Sequence, residues 1–177
     1  MELSRREFIL ASLAAAGLSA GRLLLSGADV VIVEFSDAAV RLRTVTVPKV
    51  VKSDAEWRKQ LSPLAFHVAR QAGTEQPFSG EYWDLHEHGL FRCACCATAL
   101  FSSAAKFDSG TGWPSFWQPV ARENVQVHGE RGSSGPEGEV MCRRCDAHLG
   151  DVFADGPRPT GLRYCIDSAS LIFRRAG

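Results

Sequence analysis

The chain has 177 residues, of which 45% are hydrophobic, and its 20 basic and 20 acidic side chains give a formal net charge of +0. A neutral chain lacks the basic surface that nucleic-acid-binding proteins use, so we expect no nucleic-acid partner. The length suits one domain with a hydrophobic core and a short extension.

The N-terminal segment has the layout of an export signal. Arg5 and Arg6 are adjacent and are followed by an apolar run over residues 9–18. This pattern is typical of a twin-arginine signal, and the run is too short for a convincing membrane span. Small residues before the end of the segment at Ala28 predict cleavage there, so residues 1–28 are interpreted as the signal. We expect a periplasmic protein, which contacts the membrane only if the signal stays uncleaved.

The next part of the chain predicts strands and then two short helices. Residues 29–50 alternate apolar and polar side chains and are interpreted as a β-like linker or N-terminal extension. Asp54 is a candidate N-cap for a first helix, and Pro63 suits the first position of a second helix. Gly73 fits the C-terminal cap of that second helix.

The remainder of the chain alternates short strand-like runs with glycine turns, which favours small antiparallel sheets over a βαβ fold. The predicted strands are Leu90–Cys93, Val125–His128, Glu139–Cys142, Asp151–Ala154, Leu162–Ile166 and Ser170–Arg174. Residues 129–139 are rich in Gly and Ser and predict a loop. We therefore expect a mainly β domain over residues 51–177, with a barrel-like core, two short N-terminal helices and a metal staple.

Four of the six cysteines stand in two CxxC pairs, Cys93 with Cys96 and Cys142 with Cys145. Two such turns supply the four thiolates that structural zinc prefers, and a shell of four protein ligands leaves no open position for a substrate. The alternatives are a pair of disulfides or a redox-active CxxC, as in an exported thiol–disulfide oxidoreductase. The sequence favours zinc.

A fifth cysteine, Cys165, lies in a strand-like run and is a candidate nucleophile. Alternation along the strand places Arg163, Cys165 and Asp167 on one side. The guanidinium of Arg163 favours the reactive thiolate, and an ionised Asp167 opposes it. The alternative is that Cys165 is a buried small apolar residue.

Several motifs, in order along the chain, resemble the type B methionine sulfoxide reductases. They are Lys52–Trp57, Pro77–Gly80, Phe107–Trp117, Cys145–Phe153, Gly156–Pro157 and Arg163–Cys165. The resemblance covers residues from about 51 to 173 and marks 51–177 as the reductase domain. It implies reduction of the R epimer of methionine sulfoxide in proteins, with Cys165 as the nucleophile that becomes a sulfenic acid. It also implies that the two CxxC pairs hold a structural zinc ion.

The resemblance also implies roles for residues around the sulfoxide. Trp113 would form an apolar wall for the S-methyl group, and Phe153 is a further candidate for substrate contact. His148 is a candidate donor of a proton or hydrogen bond, although it could also be a satisfied polar group in a turn. Asp151 stands where the family often has histidine, and Asp167 stands where it often has asparagine. We therefore expect one carboxyl group to keep its proton, and we assign the acid role to Asp151.

The family's recycling step has no obvious internal partner in this sequence. Many relatives have a resolving cysteine at the position of Thr111, so no disulfide with Cys165 can form there. Cys95 is the spare sulfur, and it is either a resolving thiol or a buried bystander. We expect a thioredoxin-like reductant to act directly on oxidised Cys165. The competing function is a zinc-ribbon-like binding module without catalysis.

Overall fold

The structure, a computed structural model, describes residues 28–129 and 137–177. The predicted signal therefore lies outside the described residues except for Ala28, and so does most of the predicted loop at 129–139. No helix within the described ranges is long and apolar enough to cross a membrane. Export and cleavage remain predictions.

The described residues form a mainly antiparallel β structure with two α-helices, which confirms the predicted fold class. In chain order the elements are β1 Asp29–Phe35, β2 Arg41–Pro48, α1 Asp54–Gln60, α2 Pro63–Gln71, β3 Gly89–Cys93, β4 Ala99–Ser102, β5 Lys106–Phe107, β6 Ser115–Phe116, β7 Val125–His128, β8 Gly138–Cys142, β9 His148–Phe153, β10 Arg163–Ile166 and β11 Leu171–Arg175. Three sheets have the orders β1-β2, β5-β6-β10-β9-β8-β7 and β11-β3-β4. These orders are open, so the described strands do not close into a barrel.

The structure corrects two details of the sequence interpretation, one at the start of α1 and one at the end of α2. Ser53 is the N-cap of α1, and its hydroxyl accepts from the backbone N–H of Glu56 while the Glu56 carboxylate accepts from the backbone of Ser53. Asp54 is therefore the first helical residue rather than the cap, because the serine one position earlier closes this reciprocal pair. Pro63 begins α2 as predicted. The left-handed position at the end of α2 is Ala72, with φ +51°, rather than Gly73.

An aromatic core lies between the six-stranded and three-stranded sheets. Phe116 on β6 stacks on Phe101 of β4 with 4.5 Å between ring centroids and meets Phe91 of β3 edge-on at 5.1 Å. On β10 the even-numbered side chains, including Tyr164, turn into this core, whereas Cys165 faces outward and stays half-buried. The alternation predicted for Cys165 and Tyr164 agrees with this burial pattern, but Asp167 lies beyond the end of β10 and is buried.

The extension over residues 29–50 forms the β1-β2 hairpin, which is fastened to the domain by buried polar contacts. The amide group of Asn124 accepts from the Val33 N–H at 2.7 Å and donates to the carbonyls of Val33 and Ala99 at 2.8 and 2.7 Å. At the far end of the hairpin, Lys49 binds both carboxylate oxygens of Asp146 at 2.6 and 2.8 Å. Because Asn124 is fully buried, these bonds satisfy backbone groups that have no access to water.

Candidate active site and metal centre

Two similar turns carry the four predicted metal ligands. Cys93 ends β3 and Cys142 ends β8, so each CxxC pair occupies the turn that leads to the next strand. The carbonyl of the first cysteine accepts from the residue four positions later, Ala97 at 2.8 Å in one turn and Asp146 at 2.9 Å in the other. In each turn the residue that donates this hydrogen bond has a left-handed conformation, with φ +59° at Ala97 and +52° at Asp146.

The two turns meet, and their sulfur atoms form one compact cluster. The Sγ atoms of Cys93 and Cys145 are 3.6 Å apart, and those of Cys96 and Cys142 are 3.5 Å apart. All four ligand atoms lie within 4.8 Å of one another. A tetrahedral zinc ion with Zn–S bonds of about 2.3 Å requires S–S separations of about 3.8 Å. The four sulfurs therefore fit a metal ion, and they are too far apart for the bond of about 2.05 Å in a disulfide.

A small cavity opens beside Cys165 and contains most of the predicted catalytic residues. Its volume is about 170 Å³, and its walls are Thr74, Trp113, Gly150, Asp151, Phe153, Cys165 and Asp167. A cavity of about 430 Å³ beside Leu64 is larger, but its described walls contain none of the predicted site residues. The smaller cavity is therefore the candidate active site.

Strand pairing brings a carboxyl group directly beside the thiol. Cys165 on β10 lies opposite Asp151 of β9 and opposite Ser115 of β6. The close approach depends on Gly150, whose φ is +143° and where an added β-carbon would collide with the carbonyl oxygen of Cys165. A glycine without a β-carbon is required here, because any side chain would push β9 away from β10.

Hydroxyl groups surround the other side of the Cys165 sulfur. Its Sγ lies 3.8 Å from the hydroxyl oxygen of Thr111. The hydroxyl of Ser109 lies 2.8 Å from that of Thr111 and 2.7 Å from that of Ser115, which links the three groups. Burial raises the pKa of Cys165, while the bond to Thr111 and the charge of Arg163 lower it. The thiol form is therefore favoured before a substrate binds, in spite of these hydroxyls.

Arg163 faces the same side as Cys165, but its guanidinium is committed to another partner. Its Nε and one terminal nitrogen donate to the two carboxylate oxygens of Asp155 at 2.9 and 2.8 Å. It also lies over the ring of Phe153, 4.5 Å from the centroid. The hydrogen bond to Asp155 is the main cause that raises the pKa of Arg163. The positive charge of Arg163 therefore lowers the pKa of Cys165 less than burial raises it.

Asp167 is the most deeply buried acid in the cavity, with 3% of its surface exposed. One carboxylate oxygen accepts from the backbone N–H of Glu75 at 2.8 Å. The pKa of Asp167 is raised to about 6, mainly by burial. The negative charges of Glu75 and Asp151 also raise it, whereas the hydrogen bond from the Glu75 N–H lowers it. The group is therefore poised to exchange a proton near neutral pH.

Glu75 holds this region together, although nothing in its local sequence predicts such a role. Its carboxylate accepts from the backbone N–H groups of Ser168 and Ala169 at 2.6 and 2.9 Å. Its carbonyl accepts from the indole N–H of Trp113 at 3.1 Å. Glu75 thus fixes both the turn after Cys165 and the aromatic wall of the cavity.

His148 and Asp151 are neighbours, but only Asp151 lines the cavity. Partial burial raises the pKa of Asp151, while the nearby His148 lowers it. The Nδ1 atom of His148 lies 2.7 Å from a carboxylate oxygen of Glu139, and the imidazole is buried. His148 is therefore bound to Glu139 and does not line the cavity.

The structure brings together around one cavity Cys165, Asp151, Asp167, Trp113 and Phe153. Arg163 instead lines a second cavity of about 410 Å³, and His148 lines neither cavity. Sequence reasoning missed four contributors, which are Thr74, Ser115, Glu75 and Asp155. Ser115 lies inside a quoted motif and strand pairing could have found it. The other three reach the site through loops, where no periodic pattern indicates which way a side chain points.

The comparisons with known proteins agree with this site. Residues 61–175 match the SelR domain family. The chain is 58% identical over 125 residues to a peptide methionine sulfoxide reductase MsrB of Herminiimonas arsenicoxydans, and the match covers 71% of this chain and 91% of the relative. The chain belongs to the MsrB family.

Other MsrB relatives are similar over the same part of the chain. The protein of that name from Thioalkalivibrio sulfidiphilus is 56% identical over 124 residues, covering 70% of this chain and 90% of the relative. The one from Agrobacterium fabrum is 51% identical over 129 residues, covering 73% of this chain and 96% of the relative. The resemblance stated from the motifs is confirmed, and this MsrB family member is an oxidoreductase.

We expect metal removal to unfold this MsrB family member. Purified protein should contain about one metal ion per chain, and removing it with a chelator under reducing conditions should lower Tm by more than about 10 °C, because the cross-link between the two CxxC turns is then lost. Elemental analysis and thermal melts followed by circular dichroism measure both. Cys165→Ser is the matched control, since it keeps all four ligands and should respond identically. An unchanged melt after metal loss would contradict the structural role.

Proposed function

We propose that this protein reduces the R epimer of methionine sulfoxide in oxidised proteins, with Cys165 as the nucleophile. Family membership supports methionine sulfoxide reduction in oxidised protein substrates as the general activity. The observation that carries the finer proposal is the cavity of about 170 Å³ in which Cys165 meets two carboxyl groups and the ring of Trp113. A sulfoxide there has an apolar wall for its methyl group and donors for its oxygen.

In the proposed reaction, the Cys165 sulfur attacks the sulfoxide sulfur and takes over its oxygen. The methionine sulfur gains two electrons and the cysteine sulfur loses two, so the thiol becomes a sulfenic acid and methionine leaves. The thiol proton ends on the transferred oxygen. No other reactant is needed for this half of the cycle. Because burial raises the pKa of Cys165, a nearby base must take up the thiol proton as the attack begins.

Asp167 is the group that we propose for this proton transfer. Its pKa of about 6 lies below that of the buried thiol, so at neutral pH the pair shares one proton, which rests mainly on sulfur. Moving that proton to Asp167 creates the thiolate and an acid in one step, and the acid then protonates the departing oxygen. The sequence interpretation gave this role to Asp151, which is more exposed. Burial favours Asp167, with Asp151 and His148 setting the surrounding charge.

We propose that the metal at the four cysteines is zinc and that it is structural. The donor set of four thiolates and the spacing of the sulfurs support zinc over harder cations, which prefer oxygen. The bound ion would supply cross-linking of the two turns. Cys93, Cys96, Cys142 and Cys145 would hold it, and none of them faces the cavity of Cys165.

We propose that a thioredoxin-like protein reduces oxidised Cys165 directly. Thr111 occupies the position 3.8 Å from the Cys165 sulfur where an internal resolving thiol would have to stand. The buried Cys95 lies beside Cys93 and Cys145 and is not part of the cavity wall around Cys165. Both observations support an external reductant.

We expect mass spectrometry after a single turnover to test the reaction, its stereochemistry and its recycling together. With the R epimer of a sulfoxide peptide and no reductant, wild type should gain one trapped sulfenic acid and release one methionine peptide, because only Cys165 can accept the oxygen. Cys165→Ser should release none, and the S epimer should give no product. Cys95→Ala is the matched control and should behave as wild type. An internal disulfide in wild type that is lost in Cys95→Ala would overturn the recycling proposal.

Asp167→Asn should change the pH profile of kcat/KM. Wild-type activity should rise with pH through about 6, as Asp167 ionises and can accept the thiol proton. In the variant, the increase in kcat/KM near pH 6 should be absent, and kcat/KM should rise steadily as pH approaches the pKa of Cys165. Asp151→Asn is the matched control and should retain the step near pH 6. If Asp151→Asn loses the step instead, the acid–base role belongs to Asp151.

Stability supplies an independent check on Asp167→Asn. A folded-state pKa raised above the unfolded value stabilises the fold at low pH, and this contribution is lost as pH rises through about 6. Asparagine removes the cost of burying an ionised carboxylate above pH 6, and its side-chain oxygen can still accept the hydrogen bond from the Glu75 N–H. At pH 8 the free energy of unfolding of the variant should therefore exceed that of wild type by on the order of 1–3 kcal/mol. Loss of activity then cannot be ascribed to unfolding.

We further propose that the protein is exported to the periplasm through the signal over residues 1–28. The support is the sequence alone, with Arg5 and Arg6 ahead of a short apolar run. Replacing both arginines by lysine should leave full-length protein in the cytoplasm, while wild type should be found in the periplasm without its first 28 residues. Cell fractionation and N-terminal sequencing measure this, and equal export of both proteins would contradict the proposal.

A further inference from the structure

Two large aromatic side chains stand exposed beside the candidate active site. Phe78 is 57% exposed and Trp83 is 36% exposed. Their rings contact each other edge-to-face, with 5.3 Å between centroids and an angle of 82° between planes. We call Phe78 and Trp83 the aromatic platform. Exposed aromatic pairs lose the benefit of burial, so a fixed pair at the surface is characteristic of a binding surface.

The backbone holds Phe78 in place at a cost. Its φ is +61°, in the left-handed region that large side chains avoid. Its N–H donates to the carbonyl of Gly112 at 2.8 Å, and a β-carbon at Gly112 would collide with the Phe78 ring and backbone. On the other side, the carbonyl of Trp83 accepts from the Lys106 ammonium at 2.8 Å. A strained, exposed phenylalanine that is fixed by a backbone hydrogen bond and packs on an anchored tryptophan indicates a function other than core packing.

The platform is continuous with the sulfoxide cavity through the segment 74–78. Thr74 lines the cavity at one end of this segment, and Phe78 stands at the other. Between them, the Glu75 carbonyl accepts from the indole of Trp113, the cavity wall that directly follows Gly112. Four residue steps span at most about 14 Å. An extended peptide with its sulfoxide in the cavity therefore reaches the platform with a side chain no more than about four positions away.

We propose that the aromatic platform binds an apolar side chain of the oxidised protein, a few residues from the methionine sulfoxide, and so determines which sequences are repaired efficiently. This inference rests on the proposed function. The occupant is a leucine-like or phenylalanine-like side chain, because aromatic edges and faces offer contact area but no hydrogen bonds at this surface. Methionine usually lies among apolar neighbours in protein cores. The platform thus selects oxidised methionines from core segments that have become exposed.

Kinetics with three substrates test the platform. The substrates are N-acetyl-methionine-(R)-sulfoxide and two short peptides whose R-sulfoxide is flanked by leucines or by serines. Wild type should prefer the leucine peptide over the serine peptide about tenfold in kcat/KM, as expected for one buried apolar side chain. Phe78→Gly and Trp83→Ala should lose most of that preference through a higher KM with an unchanged kcat. Both should keep wild-type kcat/KM, within about twofold, for the N-acetyl substrate.

Controls separate substrate binding from folding and from the reaction itself. Val127→Ala removes an exposed apolar side chain that is not part of the cavity, and it should keep the tenfold preference. Glycine is favoured at φ +61°, so Phe78→Gly should keep a Tm near that of wild type. Two results would overturn the platform proposal alone. One is an equal loss of kcat/KM by the platform variants on all three substrates, and the other is a wild type that does not prefer the leucine peptide over the serine peptide. No turnover of any substrate by wild type would overturn the proposed function and the platform with it.

Discussion

The sulfur cluster is the constraint on which the arrangement of the sheets depends. One turn belongs to the β3-β4 hairpin of the three-stranded sheet, and the other joins β8 to β9 in the six-stranded sheet. A tetrahedral ion bound there would hold all four sulfurs at fixed distances and so would set the position of one sheet relative to the other. The same strand β9 that leaves the second turn carries Gly150 and Asp151 to the candidate active site.

Cys165 lies in the same sheet as the second CxxC turn, and none of the four clustered sulfurs lines its cavity. β10 lies between β9 and β6, and Cys165 points away from the aromatic core toward the cavity. Its surroundings are unusual for a nucleophilic thiol, because burial raises its pKa and two carboxyl groups lie close by. In the proposed mechanism, a proton shared between sulfur and Asp167 would turn this arrangement from an electrostatic difficulty into a way to generate the thiolate at the moment of reaction.

Much of this architecture could be predicted from the sequence where local rules decide the outcome. The CxxC spacing predicts a cluster because a metal shell is built from short turns, and alternation along β10 predicts the face of Cys165. Prediction failed where the strands are very short and where the deciding contact joins residues that are distant in sequence. The two-residue strands β5 and β6 show no periodicity, and Glu75 binds Ser168 across 93 positions of sequence. The cap of α1 was misplaced by one residue, because serine and aspartate at positions 53 and 54 satisfy the same preference.

One carboxylate ties the N-terminal hairpin to the metal centre. Asp146 immediately follows the last ligand, Cys145, and accepts from both Lys49 and the side chain of Gln126. The turn that places Asp146 persists only while its cysteine neighbours are held together. Loss of a bound ion would therefore loosen this end of the hairpin, while the buried bonds of Asn124 would still hold β1. The leading hairpin thus has separate attachments at Asn124 and at Asp146, and only the second of these depends on the cysteine turns.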